Sequence, residues 1–183
     1  MKVVATVGLP GSGKSVFEDV AGELDVPVVS MGDVIRREVA RRGLDPSDVN
    51  MGRVAVDLRE EEGDDVVARR CVDRVQEALS SSDVVLVDGV RSDDEVDVFR
   101  EEFEGDFLLV AVEAPFDVRF ERLRERGRSD DVSAREELER RDERERGYGL
   151  GEAMDMADVT VENVGTLNEF KEVARGFLGD GDV

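Results

Sequence analysis

A glycine-rich segment near the start of the chain has the spacing of a phosphate-binding loop. Residues 8–15 read Gly-Leu-Pro-Gly-Ser-Gly-Lys-Ser, which fits Gly-x₄-Gly-Lys-[Ser/Thr], after an apolar run and before a helical pattern. Glycines let such a loop turn tightly, so that backbone N–H groups point at phosphate oxygens, and the following helix adds positive potential. The residues predicted to bind the phosphates of ATP are Gly8, Pro10, Gly11, Ser12, Gly13, Lys14 and Ser15.

Two side chains of this loop and one distant carboxylate predict a reaction at the bound phosphates. Lys14 is expected to reach the β and γ phosphates, and the Ser15 hydroxyl to coordinate Mg²⁺. Asp88 ends the apolar run Val84–Asp88. In proteins with such a loop, a carboxylate at the end of an apolar strand holds Mg²⁺ directly or through water. The pattern therefore predicts ATP and Mg²⁺ as cofactors, Ser15 and Asp88 as metal ligands, and Lys14 and Asp88 as catalytic residues.

Two arginine-containing segments indicate a second phosphate site. Residues 29–36 read Val-Ser-Met-Gly-Asp-Val-Ile-Arg, and residues 88–91 read Asp-Gly-Val-Arg. Both resemble segments of nucleoside monophosphate kinases, adenylate kinases among them, in which the arginines hold the acceptor's phosphate. The second segment lacks the proline of that family's Asp-Gly-x-Pro-Arg and is one residue shorter. The acceptor-binding residues implied by the resemblance are Asp33, Arg36 and Arg91.

A third arginine-rich segment is similar to the lid of the same kinases. Residues 122–131 read Arg-Leu-Arg-Glu-Arg-Gly-Arg-Ser-Asp-Asp, like the start of the segment that closes over ATP. The resemblance implies a short lid at about residues 126–133, with Arg122 binding the nucleotide. It also implies that Arg126 and Arg128 stabilise the charge that moves during phosphoryl transfer.

Two further positions take their predicted roles from this resemblance. Arginines follow the lid in these kinases, and Arg140 or Arg141 would occupy that place. Asn-Val-Gly at residues 163–165 follows the last predicted strand, where related kinases hold adenine, so Gly165 is expected to contact the nucleotide.

The motifs span residues 8–165 and resemble most closely an archaeal group of adenylate-kinase-related P-loop proteins. The resemblance favours transfer from ATP to a nucleoside monophosphate. Transfer to a hydroxyl is the first alternative, because Asp33 lies where dephospho-coenzyme A kinases have a base and because Ala-Asp-x₄-Asn-x-Gly from Ala157 also occurs there. A regulatory ATPase without an acceptor is the second alternative.

Composition bears on the number of domains, the kinds of partner and the metal sites that the chain can have. The 183 residues suit one domain, 1–183, and carry a net charge of −21, with only Lys2, Lys14 and Lys171 as lysines. This balance resembles proteins of salt-loving archaea, although a GC-rich genome would bias composition similarly, and it disfavours nucleic acid as a partner. One cysteine and no histidine exclude an internal disulfide and ordinary zinc sites. We expect a cytoplasmic protein that binds small nucleotides and no membrane, and the oligomeric state stays open.

Alternating apolar runs and helical patterns predict an α/β fold around a parallel sheet. The run Phe107–Val112 lacks polar alternation, as a parallel strand covered on both faces should. The resemblance implies the P-loop kinase fold: five strands in the order 2-3-1-4-5, flanking helices, and an acceptor-binding insertion at about residues 31–80. The predicted strands are Val3–Val7, Val26–Val29, Val84–Val87, Phe107–Val112 and Val159–Val161.

Three helices have recognisable signals. Met51, Val54, Ala55 and Leu58 have the spacing of one apolar helix face. Thr166-Leu-Asn-Glu169 is a capping box ahead of another amphipathic segment. Segment 133–146 is polar nearly all round, which predicts a solvated surface helix with i, i+4 charge pairs.

Overall fold

The computed structural model of the chain describes residues 1–126 and 134–179. Its centre is a five-stranded sheet in which the strands lie in the order β2-β3-β1-β4-β5. All neighbouring strands pair in parallel, which confirms the predicted fold class and strand order. The strands are β1 (Lys2–Val7), β2 (Val28–Ser30), β3 (Val84–Asp88), β4 (Phe107–Glu113) and β5 (Val159–Glu162).

Helices connect these strands and cover both faces of the sheet. They are α1 (Ser15–Glu23), α2 (Gly32–Arg41), α3 (Asp48–Glu62), α4 (Val66–Leu79), α5 (Asp93–Phe103), α6 (Phe116–Arg126), α7 (Arg135–Arg146), α8 (Leu150–Asp155) and α9 (Leu167–Leu178). Across the described ranges, none of the helices has the length and apolarity needed to cross a membrane.

Each face of the sheet has its own hydrophobic core. On one face, side chains of β1, β3 and β4 pack with α1 and α9 around Phe17 and Phe170. On the other face, alternate residues of the same strands pack with α2, α3, α4, α5 and α8, and the single cysteine, Cys71, is buried there. Burial on both faces explains why the central strands have continuous apolar runs.

Strand β2 begins at Val28, two residues after the start of the predicted strand Val26–Val29. The Val26 N–H donates to the Ala21 carbonyl at 2.8 Å and so completes the end of α1 instead of joining the sheet. Pro27 has no N–H, and its carbonyl accepts the Leu86 N–H at 2.9 Å, so regular pairing begins at Val28. The other four strands contain their predicted ranges.

Two of the three helix predictions are confirmed and one is partly wrong. Val54 and Leu58 are buried as the spacing indicates, and the Thr166 hydroxyl accepts the Glu169 N–H at 3.3 Å in the predicted capping box. Segment 133–146 does form a helix from Arg135, but it is not solvated all round. Its buried residues, at positions i, i+4 and i+7, are Leu138, Asp142 and Glu145.

Candidate active site

The glycine-rich loop joins β1 to α1 at the carboxyl edge of the sheet. Gly8 and Gly13 both have positive φ angles, 153° and 114°. A Cβ at Gly8 would lie 2.3 Å from the Val112 carbonyl oxygen, and one at Gly13 would lie 2.1 Å from Asn163 Nδ2. Only glycine fits at either position, because the loop backbone packs directly against β4 and against the loop after β5.

Three side chains hold this loop from outside. Asn163 Nδ2 donates to the Ser12 carbonyl at 2.8 Å, and Arg122 Nη1 donates to the same oxygen at 3.3 Å. Arg122 Nη2 also donates to Asn163 Oδ1 at 3.1 Å, and Arg119 Nη1 donates to the Pro10 carbonyl at 3.0 Å. The loop is therefore held by α6 and by the segment after β5, with Arg122 beside it, where the sequence predicts a nucleotide contact.

Lys14 points its ammonium back over the loop. Nζ donates to the Gly8 carbonyl at 2.5 Å and to the Leu9 carbonyl at 3.4 Å. Burial of the charged form lowers the pKa of Lys14 to about 8, and the nearby carboxylate of Asp88 opposes that shift. The further charged groups close enough to act on this ammonium are Arg91, Glu145 and Arg141.

Asp88 ends β3 beside the strand that leads into the loop. It is in register with Thr6 of β1 and with Ser30 of β2, so it lies at the centre of the carboxyl edge. Its backbone carbonyl accepts the Met31 N–H at 2.9 Å, which brings the start of α2 against β3. With Ser15, the first residue of α1, it offers hydroxyl and carboxylate oxygens, the donor type that suits Mg²⁺ together with substrate phosphates.

Arg36 lies on the first turns of α2 with its guanidinium folded back toward Gly32. An ideal Cβ at Gly32 would be 3.5 Å from Arg36 Nη2, and Arg36 Nη1 forms an ion pair with Asp33. Asp33 also lies 3.6 Å from Arg74 Nη2. The predicted acceptor residues Asp33 and Arg36 are thus in contact, and the carboxylate faces two guanidinium groups.

Arg91 extends from the segment after β3 and reaches α7. Its Nη1 lies 3.1 Å from Glu145 Oε2, while its backbone N–H donates to Glu95 Oε2 at 2.8 Å. Glu95 is 1% exposed and its other oxygen accepts from Arg59 Nη2 at 3.2 Å. Burial raises the pKa of this carboxyl, and the Arg91 N–H and Arg59 oppose the shift. Arg91 is therefore fixed at both its backbone and its side chain.

The remaining predicted residues separate into three groups. Arg128 and the lid segment 127–133 lie outside the described residues, and Arg126 is exposed at the end of α6. Of the two arginines proposed after the lid, Arg140 is exposed, whereas Arg141 is half-buried and acts on Lys14. A Cβ at Gly165 would lie 2.8 Å from Glu169 Oε2, so this glycine makes room for the α9 capping box.

Sequence reasoning did not identify the carboxylates that hold the arginines. Glu95 and Glu145 lie in acidic helices that have no motif to distinguish them from the other surface charges. Arg119 was likewise unrecognised, although it is 3% exposed and contacts the loop. The one available signal was spacing, because Leu138, Asp142 and Glu145 have the i, i+4, i+7 pattern of a buried helix face.

Strand order, loop and flanking helices define a protein with the P-loop kinase fold. Residues 7–139 match the family model described as an AAA domain. A UPF0200 protein of Methanosarcina acetivorans is 51% identical over 98% of this chain and 95% of its own length. By these matches the chain belongs to the AAA domain family and to the UPF0200 proteins.

Other relatives extend this comparison. A UPF0200/UPF0201 protein of Archaeoglobus fulgidus is 54% identical over 97% of this chain, which spans 55% of that relative's length. Among solved structures, TT1252 from Thermus thermophilus has a TM-score of 0.62 at 20% identity, over 97% of this chain and 98% of its own. Shikimate kinase from Bacteroides thetaiotaomicron has a TM-score of 0.58 at 15% identity, over 95% and 96%. At these identities, the structures establish the fold alone.

Proposed function

We propose that this protein transfers the γ-phosphoryl group of ATP to a small phosphorylated acceptor, most simply a nucleoside monophosphate. One observation carries the proposal: Asp88 is in register with Thr6 of β1, just before the loop, and its carbonyl accepts the Met31 N–H at 2.9 Å, so the segments that carry Arg36 and Arg91 start beside the loop. Arginines suited to an acceptor phosphate thus extend from the same edge of the sheet as the loop that carries Lys14. Phosphoryl transfer requires this arrangement, because both reactants are anionic and must be held in line.

Each residue of the site has a definite role in this reaction. The loop amides and Lys14 bind the β and γ phosphates, and Arg122 holds the loop where the nucleotide enters. Arg36 and Arg91 hold the acceptor phosphate, and Asp88 and Ser15 would hold Mg²⁺. When bound, the metal neutralises charge that develops on the β and γ oxygens. Arginine suits the acceptor side because its planar fork binds phosphate through two hydrogen bonds.

The contacts of Asp33 favour a phosphorylated acceptor over a hydroxyl. A hydroxyl acceptor is helped by a carboxylate that is free to take its proton. Asp33 instead forms an ion pair with Arg36 through Oδ1 and faces Arg74 Nη2 at 3.6 Å through Oδ2. A monophosphate presents an oxygen that is already ionised, so it needs no such base. We infer that the chain is one kinase domain and that α2, α3 and α4, within residues 31–80, surround the acceptor.

The test is an assay of label transfer from γ-labelled ATP with Mg²⁺. It is run in concentrated KCl, because salt screens the repulsion that a net charge of −21 causes. Separate reactions contain each nucleoside monophosphate, dephospho-coenzyme A, or no acceptor. We expect label to be transferred to one monophosphate, which becomes the diphosphate. Lys14→Ala should lose turnover. Arg36→Ala should raise the KM for the acceptor by about tenfold or more, because a charge-assisted contact is lost.

Two results would contradict the proposal. ADP formation at the same rate with every acceptor and without one would favour the regulatory ATPase. Label in dephospho-coenzyme A alone would favour the hydroxyl acceptor. The matched control is Arg175→Ala, because Arg175 lies on α9, which packs on the opposite face of the sheet from α2, α3 and α4.

A further inference from the structure

Helix α7 buries two carboxylates, although most of its other residues are charged and exposed. Asp142 is 4% exposed and Glu145 is 7% exposed, whereas neighbouring Glu143 is exposed. Burying a carboxylate is costly unless a cation compensates it, and a buried pair contributes little net stability. The position of these two acids is therefore better explained by the arginines that they hold.

The two carboxylates hold arginines in different ways. Asp142 accepts from both Nη atoms of Arg119, at 3.0 and 2.5 Å, and that guanidinium is itself buried. Glu145 contacts only Nη1 of Arg91, at 3.1 and 3.4 Å, and the Arg91 side chain is 57% exposed. The first pair is buried, whereas the second leaves more than half of the Arg91 side chain exposed.

The Nε–Nη2 edge of the Arg91 guanidinium suits a phosphate group. Nε and Nη2 point to the same side of a guanidinium and form a two-pronged donor for oxyanions. Within the described part of the chain, neither of these atoms of Arg91 has a hydrogen-bond partner. Glu145 therefore holds the guanidinium by its third nitrogen and leaves the Nε–Nη2 edge open.

The turn that ends α7 fixes Glu145 relative to Arg91. Gly149 has a φ of 93°, and a Cβ there would lie 3.1 Å from Ser92 Cβ and 3.0 Å from Asp93 Oδ1. The turn thus packs directly on the residues that follow Arg91. The same turn places Glu145, one helical turn earlier, within 3.1 Å of Arg91 Nη1.

From this geometry we infer that Glu145 is a positioning residue, one that orients Arg91 so that its Nε–Nη2 edge is ready for the phosphate of the acceptor. The inference rests on the proposed function, in which Arg91 binds that phosphate. A free arginine side chain loses rotamer freedom when it binds, so an arginine already held in place binds more tightly. In a chain of net charge −21, such preparation offsets the repulsion of an anionic acceptor.

The experiment measures phosphate binding at Arg91 itself, independently of catalysis. Protein labelled with ¹⁵N-arginine is titrated with inorganic phosphate, and the Nε–H resonance of Arg91 is assigned by its loss in Arg91→Lys. We expect Glu145→Ala to raise the half-saturating phosphate concentration by about tenfold, the effect of losing one pre-organising contact. Glu145→Gln keeps an oxygen that can accept from Nη1, so its half-saturating concentration should lie between those of the unaltered protein and Glu145→Ala. Glu143→Ala should match the unaltered protein.

Three outcomes would overturn the inference. The first is an equal half-saturating phosphate concentration in Glu145→Ala, Glu145→Gln and Glu143→Ala. The second is tighter phosphate binding in Glu145→Ala, which would mean that Glu145 competes with the phosphate for Arg91. The third is an Arg91 Nε–H resonance that does not shift when phosphate is added. Thermal unfolding of each variant identifies any that fails to fold, and Glu145→Gln preserves volume for that case. If the titration behaves as expected but no acceptor is labelled in the kinase assay, the proposed function fails and the positioning role stands.

Discussion

At the scale of single residues, Lys14 must remain cationic in surroundings that penalise its charge. Its ammonium donates to the Gly8 carbonyl at 2.5 Å, and burial lowers its pKa to about 8. Asp88 counteracts this shift, whereas Arg91 and Arg141 reinforce it. Phosphate oxygens brought by a nucleotide would favour the charged form, so nucleotide binding and protonation of Lys14 are coupled.

This coupling predicts that ATP binds more weakly as the pH rises from 7 to 9. The protonated lysine is the binding form, and it is lost as the pH passes through about 8. At pH 9 roughly a tenth of the protein would keep that proton, so affinity should fall by up to about tenfold. Calorimetric titration at pH 7, 8 and 9 in two buffers measures both the affinity and the protons taken up.

The control for this prediction is Lys14→Arg, whose guanidinium stays charged throughout this range. Its affinity for ATP, whatever its value, should vary much less between pH 7 and pH 9. Equal affinities of the unaltered protein at these two pH values would contradict the coupling.

At the scale of elements, the sequence predicted what local patterns encode. The phosphate loop and the parallel sheet were recognisable because glycine spacing and apolar runs reflect local geometry. The partners of Arg91 and Ser12 were not, since Glu145 and Asn163 lie 54 and 151 positions away from them. Helix α7 was mistaken for a solvated helix because its buried face is mostly carboxylate, and composition alone does not distinguish a paired acid from an exposed one.

The turn between α7 and α8 provides a test of how this helix is held. Gly149→Ala would force a side chain into positive φ and against Ser92 and Asp93, so unfolding free energy should fall by about 1–3 kcal/mol. Urea unfolding measures it. Gly151→Ala is the matched control, because Gly151 lies within α8 with no atom within 4 Å of an added Cβ.

The two substitutions should act in opposite directions. Alanine at position 151 should stabilise the protein by roughly 0.5–1 kcal/mol through helix propensity. Equal effects of the two substitutions would mean that the α7–α8 turn does not constrain the segment after Arg91.

At the scale of the whole molecule, net repulsion coexists with local ion pairs. Glu38 is 4% exposed and pairs with Arg41, Arg42 and Arg70, and hydrogen bonds from Arg41 and Arg42 lower its pKa to about 2. Arg42 continues to Asp57 at 2.7 Å, so this network joins α2, α3 and α4. The helices proposed to surround the acceptor are thus linked by charge as well as by apolar packing.

Salt should stabilise this protein. The Debye length shrinks from about 10 Å at 0.1 M to about 3 Å at 1 M, so KCl screens repulsion across the surface more than ion pairs under 3 Å. Urea unfolding in 0.1 M and 2 M KCl should give a higher midpoint in the concentrated salt. A midpoint that falls with KCl would mean that the ion pairs outweigh the net charge of −21.

The fate of the γ-phosphoryl group tests the central claim most directly. In the label-transfer assay, the ratio of label recovered in the acceptor to ADP formed separates a phosphotransferase from an ATPase. The arrangement of Lys14, Asp88, Arg36 and Arg91 predicts one labelled nucleoside diphosphate, formed from the monophosphate acceptor, for each ATP converted to ADP. Label recovered entirely as inorganic phosphate, at a rate indifferent to every acceptor, would contradict it.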